Sequence, residues 1–583
     1  MMLHNSHQPL FRSPAGPAPA GTKVTIRFLS DEAVSVVLRT WVHEERAYPM
    51  LRDEDTWSYE LALPKETGLL WYDFIVYLPD GKVIRYGAPD DGLGGEGKVF
   101  KDGLHSFQIT IFNENYRTPA FMHGATIYQI FPDRFCKAPT KSVDTRDNRK
   151  FQKWNEDLMI KPDPKCMVNC VNNFYGGTLT GIMEKLDYLH DLGIEILYLN
   201  PIFEAYSNHR YDTGDYTKID PLLGTQEEFD ELCRKAEELG MHVMLDGVFS
   251  HTGEDSIYFN DYEHYPEKGA YQGKDSKYYD WYTFEHFPDK YRCWWGFKNL
   301  PEVRKENPEY QAFMFNDQDG IVPSWIRRGA CGWRLDVADE LPMDFLRKLR
   351  HSAKKARRDA VVLGEVWEDA SNKVAYGEMR CYCTGDTLDS VMNYPLRTAI
   401  LDFVSGKDTA EKLVRLIRHQ ADVYPVQFRY SLMNLLGSHD RSRAFNALIG
   451  REGEGMTKAE QRDMRLTPEE YALASARYKT CLDILCALPG CPTVYYGDEA
   501  GMTGTADPFC RRPYPWGKED TELQKYVRSR LNHRRRSHVL RYGKCEAEVI
   551  DKDTIRIRRY FDGHDAFGRK TPAHAEEVFT IKR

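Results

Sequence analysis

The sequence predicts an α/β protein built on a (β/α)8 TIM barrel, with a small lobe inserted after strand 3, an N-terminal β-sandwich domain and a short C-terminal β region. Three observations predict it. Residues 24–112 carry β-branched and aromatic runs split by turn signals. From about residue 125, short apolar runs alternate eight times with helical stretches. Almost every one of those runs ends in charged or polar side chains, where barrel enzymes keep their chemistry.

The elements follow in order. Residues 1–20, rich in Pro, Ala and Gly, are expected as a flexible tail. Residues 21–115 form the sandwich, from VTIRFLS to SFQITIF, with Pro79-Asp80-Gly81 as one of its turns. Residues 116–520 form the barrel. Its strand runs are IYQIFPDRF (127–135), ILYLNPIF (196–203), HVMLDGVFSH (242–251), GWRLDVADE (332–340), VVLGEVWED (361–369), VMNYPLR (391–397), SLMNLLGSHD (431–440) and CPTVYYGDE (491–499). Between them, TQEEFDELCRKAEELG (225–240) and EEYALASARYKTCLDILCAL (469–488) read as helices. About 80 residues separate the third and fourth runs, too many for one helix, so a lobe is expected at about 252–305. It holds 15 aromatics in the 43 positions 258–300, which suits a mini-core, a wall for sugar rings, or both. Residues 521–583 give a helix and a short β tail.

Composition narrows the function. With 583 residues, 42% hydrophobic and 29% charged, the chain can bury a large core and is not disordered. A net charge of −9 argues against a protein dedicated to nucleic acid. No apolar run reaches the roughly 18 residues of a membrane span. The N-terminus has no apolar signal region, and the 13 cysteines form no disulfide framework, so a cytoplasmic protein is expected. Cys166/Cys170 and Cys381/Cys383 lack the second pair that a zinc site needs.

Two motifs are decoys. Gly92–Lys98 satisfies G-x-G-x-x-G, but it sits in a β-rich region with no helix after it, so a flexible loop is expected. The basic run Arg528, Arg530 and Arg534–Arg536 reads as a solvated helix face rather than a nucleic-acid site.

The chemistry rests on three acids at the ends of barrel strands: Asp336, Glu365 and Asp440. Retaining glycoside hydrolysis needs two carboxyl groups about 5–5.5 Å apart, one to attack and one to protonate the leaving oxygen. A third can stabilise the developing positive charge. Arg334 lies two residues before Asp336, on the same side of its strand, where a fixed positive charge keeps a nucleophile ionised.

The runs Asp246–His251, Gly332–Asp336, Gly364–Trp367 and Ser438–Asp440 resemble, in order, the four conserved regions of the α-amylase family of glycoside hydrolases. The N-terminal β domain, Phe174–Gly177, Leu300–Val303 and Tyr495–Glu499 resemble its neopullulanase/cyclomaltodextrinase/maltogenic-amylase branch, over about residues 20–540. The resemblance implies Asp336 as nucleophile, Glu365 as general acid/base and Asp440 as transition-state stabiliser. It implies Arg334 as the partner of the nucleophile, and His251, His439, His209 and Tyr211 as binders of the sugar at the cleavage point. Asp246 matches an acid beside the nucleophile, Arg443 an arginine near the stabiliser, and Trp367 completes the substrate-binding set. The sandwich is then starch-binding-like.

The implied substrate is an α-glucan: maltooligosaccharide, cyclodextrin or pullulan. A homodimer is implied, with the N-terminal domain narrowing the partner's cleft. Alternatives are a transglycosylase, a sucrose- or trehalose-directed relative, and a non-catalytic binding protein. Ser250 and Ser438 stand where Asn is usual. The family's usual calcium positions read Cys136-Lys-Ala-Pro-Thr140 and Gly176-Gly-Thr178 here, poor in the oxygen ligands a hard cation wants, so no metal or cofactor is expected.

Overall fold

The computed structural model describes residues 1–144, 149–160 and 172–583. Cys166 and Cys170 lie outside these residues. Eight parallel strands form the central sheet: β1 (Ile127–Ile130), β2 (Ile196–Leu199), β3 (His242–Gly247), β4 (Ala330–Leu335), β5 (Val361–Gly364), β6 (Ser390–Val391), β7 (Met433–Leu435) and β8 (Cys491–Tyr495). They pair in the order β6-β5-β4-β3-β2-β1-β8-β7, and a parallel bridge between Met392 and Met433 closes the ring. Every strand residue is buried except His242, as expected for a parallel sheet walled by helices. β6 is shorter than its apolar run suggests. Pro395 cannot donate to a ladder, and Asn393 caps the helix Tyr394–Ser405 by accepting from the Leu396 N–H.

The helices start where the sequence signals. Thr225 and Glu228 form a capping box at Gln226–Glu238, and Thr467 and Glu470 form another at Pro468–Ala487. In the inserted lobe Tyr258, Phe259, Tyr278, Trp281 and Tyr282 are buried, continuous with the core outside the barrel strands. Trp294 and Trp295 instead stand at its open side. Tyr271, Phe284 and Tyr291 pack against the buried five, so core packing takes up eight of the 15 aromatics, and the two tryptophans are among the rest.

The N-terminal domain packs two sheets, antiparallel but for the parallel pairing of Ala18–Pro19, on a core that includes Ile26, Phe28, Leu38, Tyr72, Phe74 and Ile109. Its strand Lys23–Ser30 alternates buried and less buried residues, the period of a half-buried strand. Residues 1–20 are not a tail. Met2–Leu3 and Arg12–Ser13 pair with Lys23–Ser30, and Ala18–Pro19 pairs with Phe107–Phe112. Arg12 is fully buried, ion-paired with Asp422 of the barrel helix Ala410–Val423 and donating to the Gln108 carbonyl (2.8 Å). The Gly92–Lys98 loop is likewise packed rather than loose. Gly92, Gly94 and Gly95 take positive φ, and Gly95 exchanges hydrogen bonds with Ser6.

The C-terminal sheet has three antiparallel strands, Lys544–Asp551, Thr554–Phe561 and Ala575–Lys582. The basic run before it is only partly a solvated face. Arg534 is fully buried and donates to the carbonyls of Gly124, Cys486, Gly490 and Leu540, which joins the helix Thr521–Arg536 to the underside of the barrel. Among the described residues, no helix is long and apolar enough to cross a membrane.

Candidate active site

The site assembles at the C-terminal ends of the barrel strands, around one guanidinium. Arg334 projects from β4 with no exposed surface. Its Nη1 donates to Asp246 at the end of β3 (2.9 Å) and to Asp336 just past β4 (3.0 Å), and its Nη2 lies 3.0 Å from Glu365 just past β5. Three carboxylates from three neighbouring strands thus converge on a single cation. Burial alone would make such a group untenable; a shared arginine with its fork of donors makes it affordable.

Burial pushes the Asp336 carboxyl well above its usual range, with Arg334 acting against it and Glu365, Asp246 and Asp440 adding to it. Arg334 is therefore what allows Asp336 to ionise. Asp246 is closed off more completely: its other oxygen accepts from the hydroxyls of Tyr198 (2.6 Å) and Tyr211 (2.8 Å). It has no free edge for a substrate, so it holds Arg334 and Tyr211 in place.

Glu365 is held by its ion pair with Arg334 and by two donors. Besides Arg334, the Val337 N–H reaches Oε2 (2.9 Å) and the Trp367 indole reaches Oε1 (3.1 Å). Val337 adopts φ 38° and ψ 61°, a left-handed conformation that β-branched residues avoid. That strained turn points its N–H at Glu365 and, one residue on, lets Ala338 donate to the Glu365 carbonyl (3.2 Å). Trp367 stacks flat on Tyr394 (4.1 Å, 3°), which fixes its indole.

Asp440 follows β7, with a side chain 29% exposed to the cleft. Burial, and then the negative charge of Glu365, push it up to about 7. Arg511, from the Phe509–Arg511 turn, works the other way: its Nη2 lies 3.5 Å from Asp440, and its Nε donates to the His439 carbonyl (2.8 Å). Nothing in the strand-end pattern marks Arg511, which comes from a loop beyond β8.

The histidines and Tyr211 form the opposite wall. The Tyr211 hydroxyl sits 2.6 Å from His439 Nε2, with the two rings parallel (4°) and 5.2 Å apart. Gln129 of β1 holds the other nitrogen of His439 at 2.9 Å. His251 lies 3.2 Å from the Tyr211 carbonyl and 2.8 Å from Ser250 Oγ, and His209 accepts from the Tyr211 N–H (3.1 Å). Burial lowers all three histidines, His251 and His209 to about 3 and His439 well below its usual range. They stand as neutral imidazoles, and both ring nitrogens of His439 and of His251 already face protein partners.

Arg443 is the one proposed binder placed elsewhere. It has no exposed surface, donates to Asp498 (2.9 Å) and to the Tyr496 carbonyl, and lies over the rings of Tyr495 and Tyr496. It braces the end of β8, and Arg511 takes the position beside the third acid. The polar residues missed by the motif reading are thus Arg511, Gln129 and Tyr198.

Asp440 carries a consequence for stability. In the unfolded chain its carboxyl loses its proton near pH 4; in the fold it keeps it until about pH 7. The folded state is therefore penalised increasingly as pH rises through that window, and fully above it. Asp440→Asn is expected to raise the melting temperature at pH 8 by about 3 °C, with the gain vanishing near pH 4. Calorimetry at both pH values checks this. A gain that is equal at the two, or a loss at pH 8, contradicts it.

The family of the alpha-amylase catalytic domain matches residues 129–544. The chain is 37% identical over 99% of its length to an amylopullulanase of Thermoanaerobacterium saccharolyticum, of which it covers 48%. It spans less than half the length of the amylopullulanases it matches. It is 34% identical to a cyclomaltodextrinase of Thermoanaerobacter pseudethanolicus, over 91% of this chain and 88% of that one. Among solved structures, the cyclic α-maltosyl-(1→6)-maltose hydrolase of Arthrobacter globiformis superposes with a TM-score of 0.64 at 29% identity, covering 80% of this chain and all of the other. With four strand-end regions in register and a matching domain over most of its length, the chain belongs to the α-amylase family of glycosidases.

Proposed function

We propose that the protein is a retaining α-glycoside hydrolase that cleaves α-1,4, and in some substrates α-1,6, glucosidic bonds of maltooligosaccharides, cyclodextrins or pullulan. The observation that carries this is the sharing of Arg334 by Asp336 and Glu365, at 3.0 Å each. That arrangement sets two carboxyl groups side by side, as a double displacement requires.

In the first step an Asp336 oxygen bonds to the anomeric carbon as the bond to the leaving oxygen breaks, and the Glu365 carboxylic acid gives that oxygen its proton. In the second, the Glu365 carboxylate takes a proton from water, whose oxygen displaces Asp336 from the sugar. Asp440 stabilises the positive charge at the anomeric centre. Tyr211 offers its ring to the sugar at the cleavage point, and His209, His251 and His439 meet its hydroxyls.

The printed names of the relatives, amylopullulanase, neopullulanase and cyclomaltodextrinase, support the substrate range. A product profile tests it. Maltohexaose, γ-cyclodextrin, pullulan and soluble starch are incubated separately with the protein. Release of maltose, glucose or panose, with starch slow, is the expected result; no release from any of them by folded protein overturns the reading.

We propose that no calcium is needed. The Lys137 ammonium lies 3.7 Å from where a Cβ on Gly176 would sit, a positive charge close to the Gly-Gly turn that supports this reading. The free thiols of the described cysteines support a reducing, cytoplasmic setting. A homodimer remains part of the proposal, and a single-chain mass by light scattering at micromolar concentration overturns it.

A further inference from the structure

The segment that follows Glu365 has no ladder to hold it. From Val366 to Asn372 it makes no backbone–backbone hydrogen bond among the described residues. It nevertheless carries Trp367, and the acid/base carboxyl depends on where that ring sits. Glu365 Oε2 is held twice, by its ion pair with Arg334 (3.0 Å) and by the Val337 N–H (2.9 Å). On Oε1 the Trp367 indole (3.1 Å) is the one donor among the described residues. Trp367 therefore sets the twist of the carboxyl. Its flat stack on Tyr394 resists tilting but not slipping within the plane, so the place of the ring comes from the chain beside it.

The anchor lies two residues on. Asp369 Oδ2 meets His419 Nε2 at 2.6 Å, and Oδ1 accepts from the Tyr424 hydroxyl (2.9 Å) and the Ser371 N–H (2.8 Å). The same hydroxyl accepts from the Ala370 N–H (3.0 Å). His419 lies on the barrel helix Ala410–Val423, and Tyr424 caps its C-terminus. Burial opposes both charges of the Asp369–His419 pair, and the bond between them outweighs it: Asp369 is lowered to about 2 and His419 is raised above its usual range. The next two residues are gripped from the other domain. Gln108, buried on the sandwich strand Phe107–Phe112, donates to Ser371 Oγ (3.0 Å) and accepts from the Asn372 amide (2.9 Å). A loop with no main-chain ladder is thus placed by side chains from a barrel helix and from the sandwich.

We propose that Asp369, His419 and Gln108 are positioning residues for the acid/base, so that the N-terminal domain of the same chain helps to aim the proton that goes to the leaving sugar. Each acts through Trp367 rather than on the sugar. This rests on the hydrolase reading above. The test compares the full-length parent with His419→Ala, His419→Gln, Gln108→Ala and Trp367→Phe. It measures kcat/KM on maltohexaose, whose leaving oxygen needs a proton, and on p-nitrophenyl α-maltoside, whose phenolate leaves without one.

Trp367→Phe removes the indole donor and is expected to lower kcat/KM for maltohexaose about tenfold relative to the aryl maltoside. His419→Ala and Gln108→Ala are expected to lower the same ratio about fourfold each. His419→Gln can still donate to Asp369 and recovers part of the loss. In the Trp367→Phe background neither alanine variant is expected to change the ratio further, because the donor they would displace is gone. A merely structural role would lower both substrates together and add to Trp367→Phe. An unchanged ratio, equal losses on the two substrates, or effects that multiply with Trp367→Phe overturns the proposal while leaving the hydrolase intact. Asp369 keeps 28% of its side chain open, so water can meet it once His419 is gone. If His419→Ala still melts below the assay temperature, Gln108→Ala decides by the same ratio. Failure of the parent protein to cleave either substrate overturns both readings.

Discussion

Asp336→Asn is expected to abolish turnover of maltohexaose, by about 10⁴-fold or more, while leaving the protein folded. The reason is the single bond this residue makes. An amide oxygen is a poor nucleophile and forms no stable ester with the anomeric carbon, so the double displacement has no first step. The rest of the site survives, because Arg334 keeps Asp246 at 2.9 Å and Glu365 at 3.0 Å. Burial raises Asp336 well above its ordinary range, so removing that charge relieves the folded state, and the variant is expected to melt no lower than the parent above neutral pH. Product analysis on maltohexaose together with calorimetry tests this. Activity near that of the parent refutes the nucleophile assignment, and a collapse in stability shows the residue to be structural.

Glu365→Gln is expected to split substrates by their leaving groups. For maltohexaose the departing sugar oxygen needs a proton, and kcat/KM should fall about 10³-fold. For p-nitrophenyl α-maltoside the departing phenolate is stable without one, and kcat/KM, which reports only the first displacement, should fall less than tenfold. The second displacement still lacks its base, so kcat should fall on both substrates and the glycosyl-enzyme should accumulate as an initial burst of nitrophenol. Azide, a nucleophile that arrives already deprotonated, should restore turnover of the aryl substrate by forming the glycosyl azide. Equal losses in kcat/KM on the two substrates would mean that Glu365 gives no proton. Gln has one acceptor oxygen, so it keeps the bond from either the Val337 N–H or the Trp367 indole but not both, because these reach different oxygens of Glu365.

The barrel and its reacting acids were legible because a parallel strand leaves two plain marks: an apolar run and a polar residue at its end. Asp246, Asp336, Glu365 and Asp440 all follow that rule, and Arg334 follows from the two-residue period of β4. Arg511 does not. It stands beside Asp440 because the chain turns back over the barrel after β8, and no local pattern records which strand end a loop will revisit. Arg443 misled for the opposite reason: it is three residues from Asp440 in sequence, but the backbone between them turns its side chain toward Asp498. Gln129 and Tyr198 lie inside runs read as plain core, where periodicity cannot tell a buried polar partner from a buried methyl. The first twenty residues were misjudged on composition. A segment rich in Pro, Ala and Gly buries little on its own, but two-residue pairings and one deeply set arginine are enough to anchor it.

That arginine has a wider consequence. Arg12 ends in the barrel's own helix, against Asp422, which also accepts from Ser6. Arg12→Ala would take the guanidinium from a buried Asp422, a defect that typically costs about 3–5 kcal/mol. The sandwich is therefore not an accessory that can be trimmed or exchanged like a bead on a string. Its first turn of chain is a keystone of the catalytic domain's stability, and swaps between relatives must carry both sides of that contact together.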